Sequence, residues 1–211
     1  MSVSGLLDVV AAEPGLAAAV QMAGLPGVDV SAPATLQPFA IAALAREMRR
    51  TVVAVTATGR EAEDLVAALE SLLPAESVAE FPAWETLPHE RLSPRADTVG
   101  RRLAVLRRLA HPGDAERIAV VVAPVRAMLQ PYVAGLGELP PITVRAGDTL
   151  DLDELVERLV SYAYTRTELV AKRGEFAVRG GIVDVFPPTE EHPLRCEFWG
   201  DTVEEVRAFA A

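Results

Sequence analysis

Four basic side chains in the segment 164–181 are the residues best suited to bind a charged group. Arg166, Lys172, Arg173 and Arg179 stand there against two glutamates, which gives a local charge of +2 in a chain of net charge −10. Arginine binds carboxylates through paired hydrogen bonds in a fixed planar geometry. The segment therefore predicts a surface for an acidic protein partner. The alternative is a solvated face with ordinary ion pairs.

Two aromatic residues accompany these arginines and offer an apolar centre for such a surface. Interfaces favour arginine and aromatic anchors, which makes Phe176 and Phe186 candidates. Phe176 alternates with Val178, a pattern that is first of all typical of a core position. We therefore treat Phe176 as a candidate contact residue with a core position as the alternative.

A second basic segment raises the question of nucleic acid. Its members are Arg91, Arg95, Arg101, Arg102, Arg107 and Arg108, and with Glu90 and Asp97 the local charge is +4. DNA contact is one interpretation. Two features argue against it: the chain has 30 acidic and only 20 basic residues, and no aromatic residue lies among these arginines after Trp84. We expect Arg107 and Arg108 on the exposed side of a helix, and Arg101 and Arg102 against neighbouring domains.

No constellation predicts catalysis or metal binding. The single cysteine, Cys196, cannot form an internal disulfide and should face inward, and the three histidines lack zinc-ligand spacing. Ser93 lies near His89 without an orienting acid or a nucleophile elbow. The acidic side chains of Asp184 and Glu197 fit no metal loop and are expected on a solvated strand face. We therefore expect no catalytic residue, metal or cofactor here.

Hydropathy predicts a cytoplasmic protein without a membrane partner. Asp8, Glu13 and Pro14 interrupt the apolar N-terminal run, so no signal peptide is expected. No stretch of 18 apolar residues occurs. The final segment, 204–211, has a strand pattern without a polar tail, which suggests a piece of a longer chain.

The periodicity of apolar residues changes along the chain and predicts an α/β domain followed by an α+β domain. The first, residues 1–126, alternates helices (3–12, 15–24, 36–49, from 58 and from 97) with strands (28–31, 51–56, 77–81 and 118–122), which favours a parallel sheet. The second, residues 127–211, has a helix from Asp151. Two hairpins follow, at Gly180-Gly181 and Gly200-Asp201, and they predict a smaller antiparallel sheet.

Several sequence motifs resemble a family of DNA-repair proteins. Residues 164–187 (YTRTELVAKRGEFAVRGGIVDVFP) and 195–206 (RCEFWGDTVEEV) resemble domain 2 shared by UvrB and the transcription-repair coupling factors. Residues 81–88 (FPAWETLP), 92–94 and 101–103 resemble domain 1a of the same proteins. The resemblance favours the N-terminal region of a coupling factor over UvrB. It implies a degenerate helicase-like first domain and a UvrA-binding second domain.

One departure separates the two possible parents. UvrB has a working P-loop, GxxxxGK[ST], whose backbone amides and lysine hold phosphate. The corresponding turn here, residues 30–37, is VSAPATLQ, without glycine or lysine, and Pro33 lacks an amide donor. The resemblance therefore implies a domain that has lost nucleotide binding. An ATP-dependent, UvrB-like damage-recognition domain is the alternative.

The resemblance also implies a function and its residues. In the family, domain 2 binds the UvrA subunit of the excision nuclease, and Arg166, Arg173 and Arg179 match arginine positions used there. Ala177 replaces an arginine of UvrB. The implied parent removes stalled RNA polymerase from DNA. Its motor, which uses ATP and magnesium, is not in these residues. The resemblance also implies that the C-terminal domain of the parent covers domain 2. A small-molecule enzyme unrelated to repair is a third possibility, without a polar constellation to support it.

Overall fold

The structure is a computed structural model that describes residues 4–86, 93–113 and 116–210. Its helices are α1 (Ser4–Ala11), α2 (Pro14–Met22), α3 (Gln37–Met48), α4 (Gly59–Glu70), α5 (Ala96–Ala110), α6 (Val125–Leu129) and α7 (Leu152–Ser161). Its strands are β1 (Val52–Thr56), β2 (Val78–Glu80), β3 (Val120–Pro124), β4 (Thr165–Arg166), β5 (Glu175–Arg179), β6 (Ile182–Val185), β7 (Leu194–Trp199) and β8 (Thr202–Ala208).

The chain divides into two compact units. The first contains residues 1–84 and 105–137, and the second contains residues 85–104 and 138–211. Helix α5 contributes residues to both units. The division predicted after residue 126 remains a prediction.

The first unit contains a parallel three-stranded sheet with the order β1-β3-β2, as the alternating pattern predicts. Every residue of β3 is buried, which explains its unbroken apolar run. Helix α4 begins where the sequence predicts it, with a capping box in which the Thr58 hydroxyl accepts from the Glu61 amide and the Glu61 carboxylate accepts from the Thr58 amide. Together these signals specify the local order of strand and helix.

The strand predicted at residues 28–31 is wrong. These residues are exposed and have no regular secondary structure. A short extended run becomes a strand only where a neighbouring strand satisfies its amides and carbonyls. Among the described residues, β1 pairs with β3 alone, so the run has no strand beside it.

The second unit contains a separate five-stranded sheet with the order β4-β5-β6-β7-β8. Strands β5 to β8 form consecutive antiparallel pairs, and both predicted hairpins are confirmed. The two-residue strand β4 adds to β5 in parallel and was not predicted, because two residues carry no periodicity. Residues 142–145 lie outside the strands.

Helix α7 provides the core of the second unit. The Asp151 carboxylate accepts a hydrogen bond from the Glu154 amide and caps the helix, as predicted. Leu155 and Leu159 pack with apolar side chains of β5 to β8, including the buried Cys196. Burial raises the pKa of this thiol to about 11, consistent with its role as a small apolar core residue.

Candidate functional site

The two faces of the five-stranded sheet have opposite character, because successive side chains of a strand point to opposite faces. One face packs with α7 and contains Phe176, Val183, Cys196 and Val203. The other, here called the charged face, carries the side chains between those positions. Its members are Ala177, Arg179, Ile182, Asp184, Arg195, Glu197, Trp199, Glu205 and Arg207.

A ladder of ion pairs crosses the charged face. The Arg195 guanidinium donates from Nε and Nη2 to the two carboxylate oxygens of Asp184, at 2.6 and 2.8 Å. The same guanidinium lies 5.1 Å from the ring centroid of Phe209. Arg207 contacts Glu197 at 2.9 Å and Glu205 at 3.2 Å. The central charges of the face are therefore neutralised within the sheet.

Asp184 corrects the expectation of a solvated acidic strand face. It is 6% exposed and lies opposite Arg195 in the register of β6 and β7. A buried carboxylate requires a charged or hydrogen-bonded partner, and the bidentate arginine supplies one. The two predicted hairpins do not bring these positions together, because Asp184 lies in one hairpin and Arg195 in the other. Only the pairing of β6 with β7 does so.

Arg179 and Arg173 keep charges that no carboxylate neutralises in the described part of the chain. Arg179 is exposed and donates to the backbone carbonyl of Glu168. Arg173 is exposed, donates from Nε and Nη2 to the carbonyl of Glu190 at 3.1 and 2.9 Å, and lies 4.9 Å from the ring centroid of Phe186. These bonds orient both guanidinium groups without cancelling their charge.

Arg166 does not join the other two arginines in one row. It is exposed on β4, at the edge of the sheet, and lies opposite Phe176 in the register of β4 and β5. Register partners share a face, so Arg166 is on the side of the apolar core, whereas Arg179 is on the charged face. The predicted arginines therefore surround one edge of the sheet from two sides.

Phe176 is 0% exposed and packs in the core with Leu155 and Leu159. A side chain without exposed surface offers nothing to a partner while the fold is intact. The structure thus supports the alternative interpretation, a core position, and we do not carry Phe176 forward as a contact. Phe186 is 8% exposed and supports the guanidinium of Arg173.

The second basic segment does not form a continuous exposed patch in the described residues. Arg102 is 1% exposed, and Arg107 and Arg108 are half-buried, so the expected exposed position of the latter two is wrong. Arg108 donates to the carbonyls of Glu76 and Glu116 at 2.5 and 2.9 Å. Its guanidinium holds loops together. Arg91 and His89 lie outside the described residues.

A groove of about 1000 Å³ lies in the first unit beside β1. Apolar side chains of α2, α3 and α4 line it together with part of the segment 28–37. Its charged lining residues are Glu61 and Asp64, and no lysine or arginine is among the described residues that line it.

Two further observations concern metals and membranes. In residues 4–86, 93–113 and 116–210, no three His, Cys, Asp or Glu side chains are grouped as a metal ion would require. Within the same residues, no single helix has the length and apolar character needed to cross a membrane. Residues 5–11 and 14–22 satisfy that test only as a pair, with a bend of 82° between them.

Comparison of the sequence with known proteins shows similarity to repair proteins. Residues 142–211 match the family described as the UvrB interaction domain. Over 99% of its length the chain is 49% identical to a transcription-repair-coupling factor of Mycobacterium tuberculosis. It is 32% identical to that of Bacillus subtilis over 79% of its length, and 38% identical to a UvrABC system protein B of Renibacterium salmoninarum over 43%.

The chain spans 17% of the length of the mycobacterial relative and 14% of the Bacillus relative. The resemblance that the sequence motifs predict is confirmed across both units. Coupling-factor relatives match most of the chain, whereas the UvrB relative matches less than half of it, which agrees with the preference for the former.

Proposed function

Since residues 142–211 form a UvrB interaction domain within a segment of the transcription-repair-coupling factor family, we propose that this chain is a protein-interaction module of transcription-coupled repair. It binds the UvrA subunit of the excision nuclease and brings it, in the cytoplasm, to lesions where RNA polymerase has stalled. Polymerase and DNA are contacted by the rest of the parent protein. The module acts without nucleotide hydrolysis of its own.

The observation that carries this proposal is the uncompensated positive charge at one edge of the second sheet. Arg173 and Arg179 are held by backbone carbonyls, and Arg166 makes no ion pair in the described part of the chain. Guanidinium groups that are oriented and not neutralised are ready to donate hydrogen bonds to the carboxylates of a partner. Their arrangement on two sides of β4 and β5 favours a partner that wraps around this edge.

Charge reversal at this edge tests the proposal directly. Arg179→Glu and Arg166→Glu are each expected to weaken UvrA binding by more than about tenfold, because each places a carboxylate where the partner presents its own. Titration of purified UvrA with the dye-labelled chain, followed by fluorescence anisotropy, measures the affinity.

Arg145→Glu is the matched control for charge. Arg145 is an exposed arginine of the same unit outside the segment 164–181, so its reversal is expected to leave the affinity within about twofold. Equal losses in all three variants would indicate a general effect of net charge and would contradict a defined edge. A folded wild-type chain that does not bind UvrA would refute the proposal.

The first unit is proposed to be a helicase-like fold that has lost its nucleotide site. Residues 34–36 form a single 3-10 turn before α3, and Pro33 precedes it, so the position lacks the glycine-rich backbone of a phosphate loop. Glu61 and Asp64 line the groove beside β1, and their negative charges repel phosphate. The alternative, an ATP-dependent UvrB-like domain, requires the cation that this lining lacks.

We predict no saturable binding of Mg-ATP to this chain at concentrations up to about 1 mM, the upper end of common substrate affinities. Isothermal titration calorimetry measures it, with an intact P-loop ATPase as the positive control. Stoichiometric binding of Mg-ATP that ADP competes away would overturn the assignment and favour the UvrB-like alternative.

A further inference from the structure

The most exposed aromatic side chain described in the second unit lies on the charged face and has no assigned role. Trp199 is 77% exposed at the end of β7. It follows Glu197 by two positions, so both side chains project from the same face. A tryptophan has a large apolar surface, about 150–250 Å² when buried, and its exposure leaves that surface in water.

The neighbouring backbone keeps Trp199 uncovered. The Phe198 amide donates to the Gly181 carbonyl at 2.7 Å, so Trp199 comes next to the turn between β5 and β6. That turn consists of Gly180 and Gly181, which have no side chains to cover the indole ring. Gly180 adopts a φ of 59°, a left-handed conformation that favours glycine, so a covering side chain is disfavoured there.

Trp199 is also close to the arginine edge. Ile182 lies opposite Glu197, which makes it a diagonal neighbour of Trp199 at about 7–8 Å. Arg179 lies opposite Ile182, and β5 and β7 are separated by two strand spacings, or about 10 Å. An exposed tryptophan, a partly exposed isoleucine and an oriented arginine therefore share one end of one face.

We infer that Trp199 is the apolar anchor of the partner-binding surface, an inference that rests on the proposed function. The partner it fits is a protein surface with an apolar pocket bordered by a carboxylate, which on the proposed function is a surface of UvrA. The indole ring fills the pocket while Arg179 pairs with the carboxylate beside it. Binding hot spots are enriched in tryptophan and arginine, and they cluster in well-packed, desolvated pockets.

The affinity for UvrA of a variant with the Trp199 side chain truncated provides the first test. Trp199→Ala is expected to weaken UvrA binding by about thirtyfold, the loss typical of a hot-spot side chain, and Trp199→Phe by less. Val160→Ala is the matched control, because Val160 is 56% exposed on α7, which packs on the opposite face. Far-UV circular dichroism of each variant checks that the sheet is intact.

Hydroxyl-radical footprinting read by mass spectrometry provides the second test in the unaltered chain. Oxidation of Trp199 is expected to fall when UvrA is added, whereas that of Trp84, in the first unit, stays unchanged. Mass spectrometry assigns the oxidation to individual peptides of each protein, so the tryptophans of UvrA do not interfere.

The two tests separate this inference from the proposed function. If UvrA binds and the binding depends on Arg179 while Trp199→Ala keeps full affinity and Trp199 stays oxidisable, the anchor is refuted and the proposed function stands. If the folded wild-type chain does not bind UvrA, both are refuted.

Discussion

Phe176→Ala is expected to lower the free energy of unfolding of the second unit by about 3–5 kcal/mol, since the side chain is 0% exposed and packs with Leu155 and Leu159. Removing a buried ring loses its transfer free energy and leaves a cavity that the sheet and α7 fill only in part. The change also disturbs β5, so UvrA binding is expected to fall as a consequence of unfolding. Urea denaturation followed by far-UV circular dichroism measures the loss.

Phe176→Leu separates a core role from a contact role. It keeps most of the apolar volume and is expected to cost less than about 1.5 kcal/mol while leaving UvrA affinity intact. Leu169→Ala is the matched control for truncation, because Leu169 is 68% exposed and its loss should change stability by less than about 0.5 kcal/mol. A stable Phe176→Leu variant that no longer binds UvrA would contradict the core assignment.

Asp184→Ala is expected to destabilise the second unit by about 2–4 kcal/mol. Asp184 is 6% exposed, and its carboxylate accepts two hydrogen bonds from Arg195. The side chain of Arg195 is 28% exposed. Removing one partner of a buried pair leaves the other charge partly desolvated and unpaired. Urea denaturation followed by circular dichroism reports the change.

Glu205→Ala is the matched control for this ion pair, because it removes one carboxylate from the exposed contact of Arg207 on the same face. Exposed pairs contribute about 0–1 kcal/mol, so the control should be nearly neutral. Equal small effects of both variants would show that the Arg195–Asp184 pair is effectively solvated. The charged face would then have no rigid centre to position Arg179 and Trp199.

The local elements of this chain follow from its sequence because their signals lie within a few residues of one another. Thr58 and Glu61 form the capping box, and Asp151 caps α7. Gly180-Gly181 and Gly200-Asp201 mark the two hairpins, and the period of two in the strand before the first turn favours a core position for Phe176. Two of the motifs that resemble coupling factors, residues 164–187 and 195–206, include these hairpins, so the resemblance too was present in the sequence.

Contacts between distant segments could not be read from the sequence in the same way. The parallel strand β4 forms because its two residues pair with β5, and residues 28–31 stay out of the sheet because no described strand pairs with them. Local β propensity is present in both segments, and the presence of a neighbouring strand decides which of them forms a strand. The short strand β4 then places Arg166 on a different side from Arg179.

The sequence by itself determined the composition of the candidate site, namely several arginines in a locally basic hairpin region of an acidic chain. Only the tertiary structure decided which arginines of the second unit keep an available charge. Register between strands neutralises Arg195 with Asp184, whereas backbone carbonyls hold Arg173 and Arg179 without neutralising them. The same register leaves Trp199 beside a bare glycine turn, because exposure depends on which side chains a neighbouring strand provides.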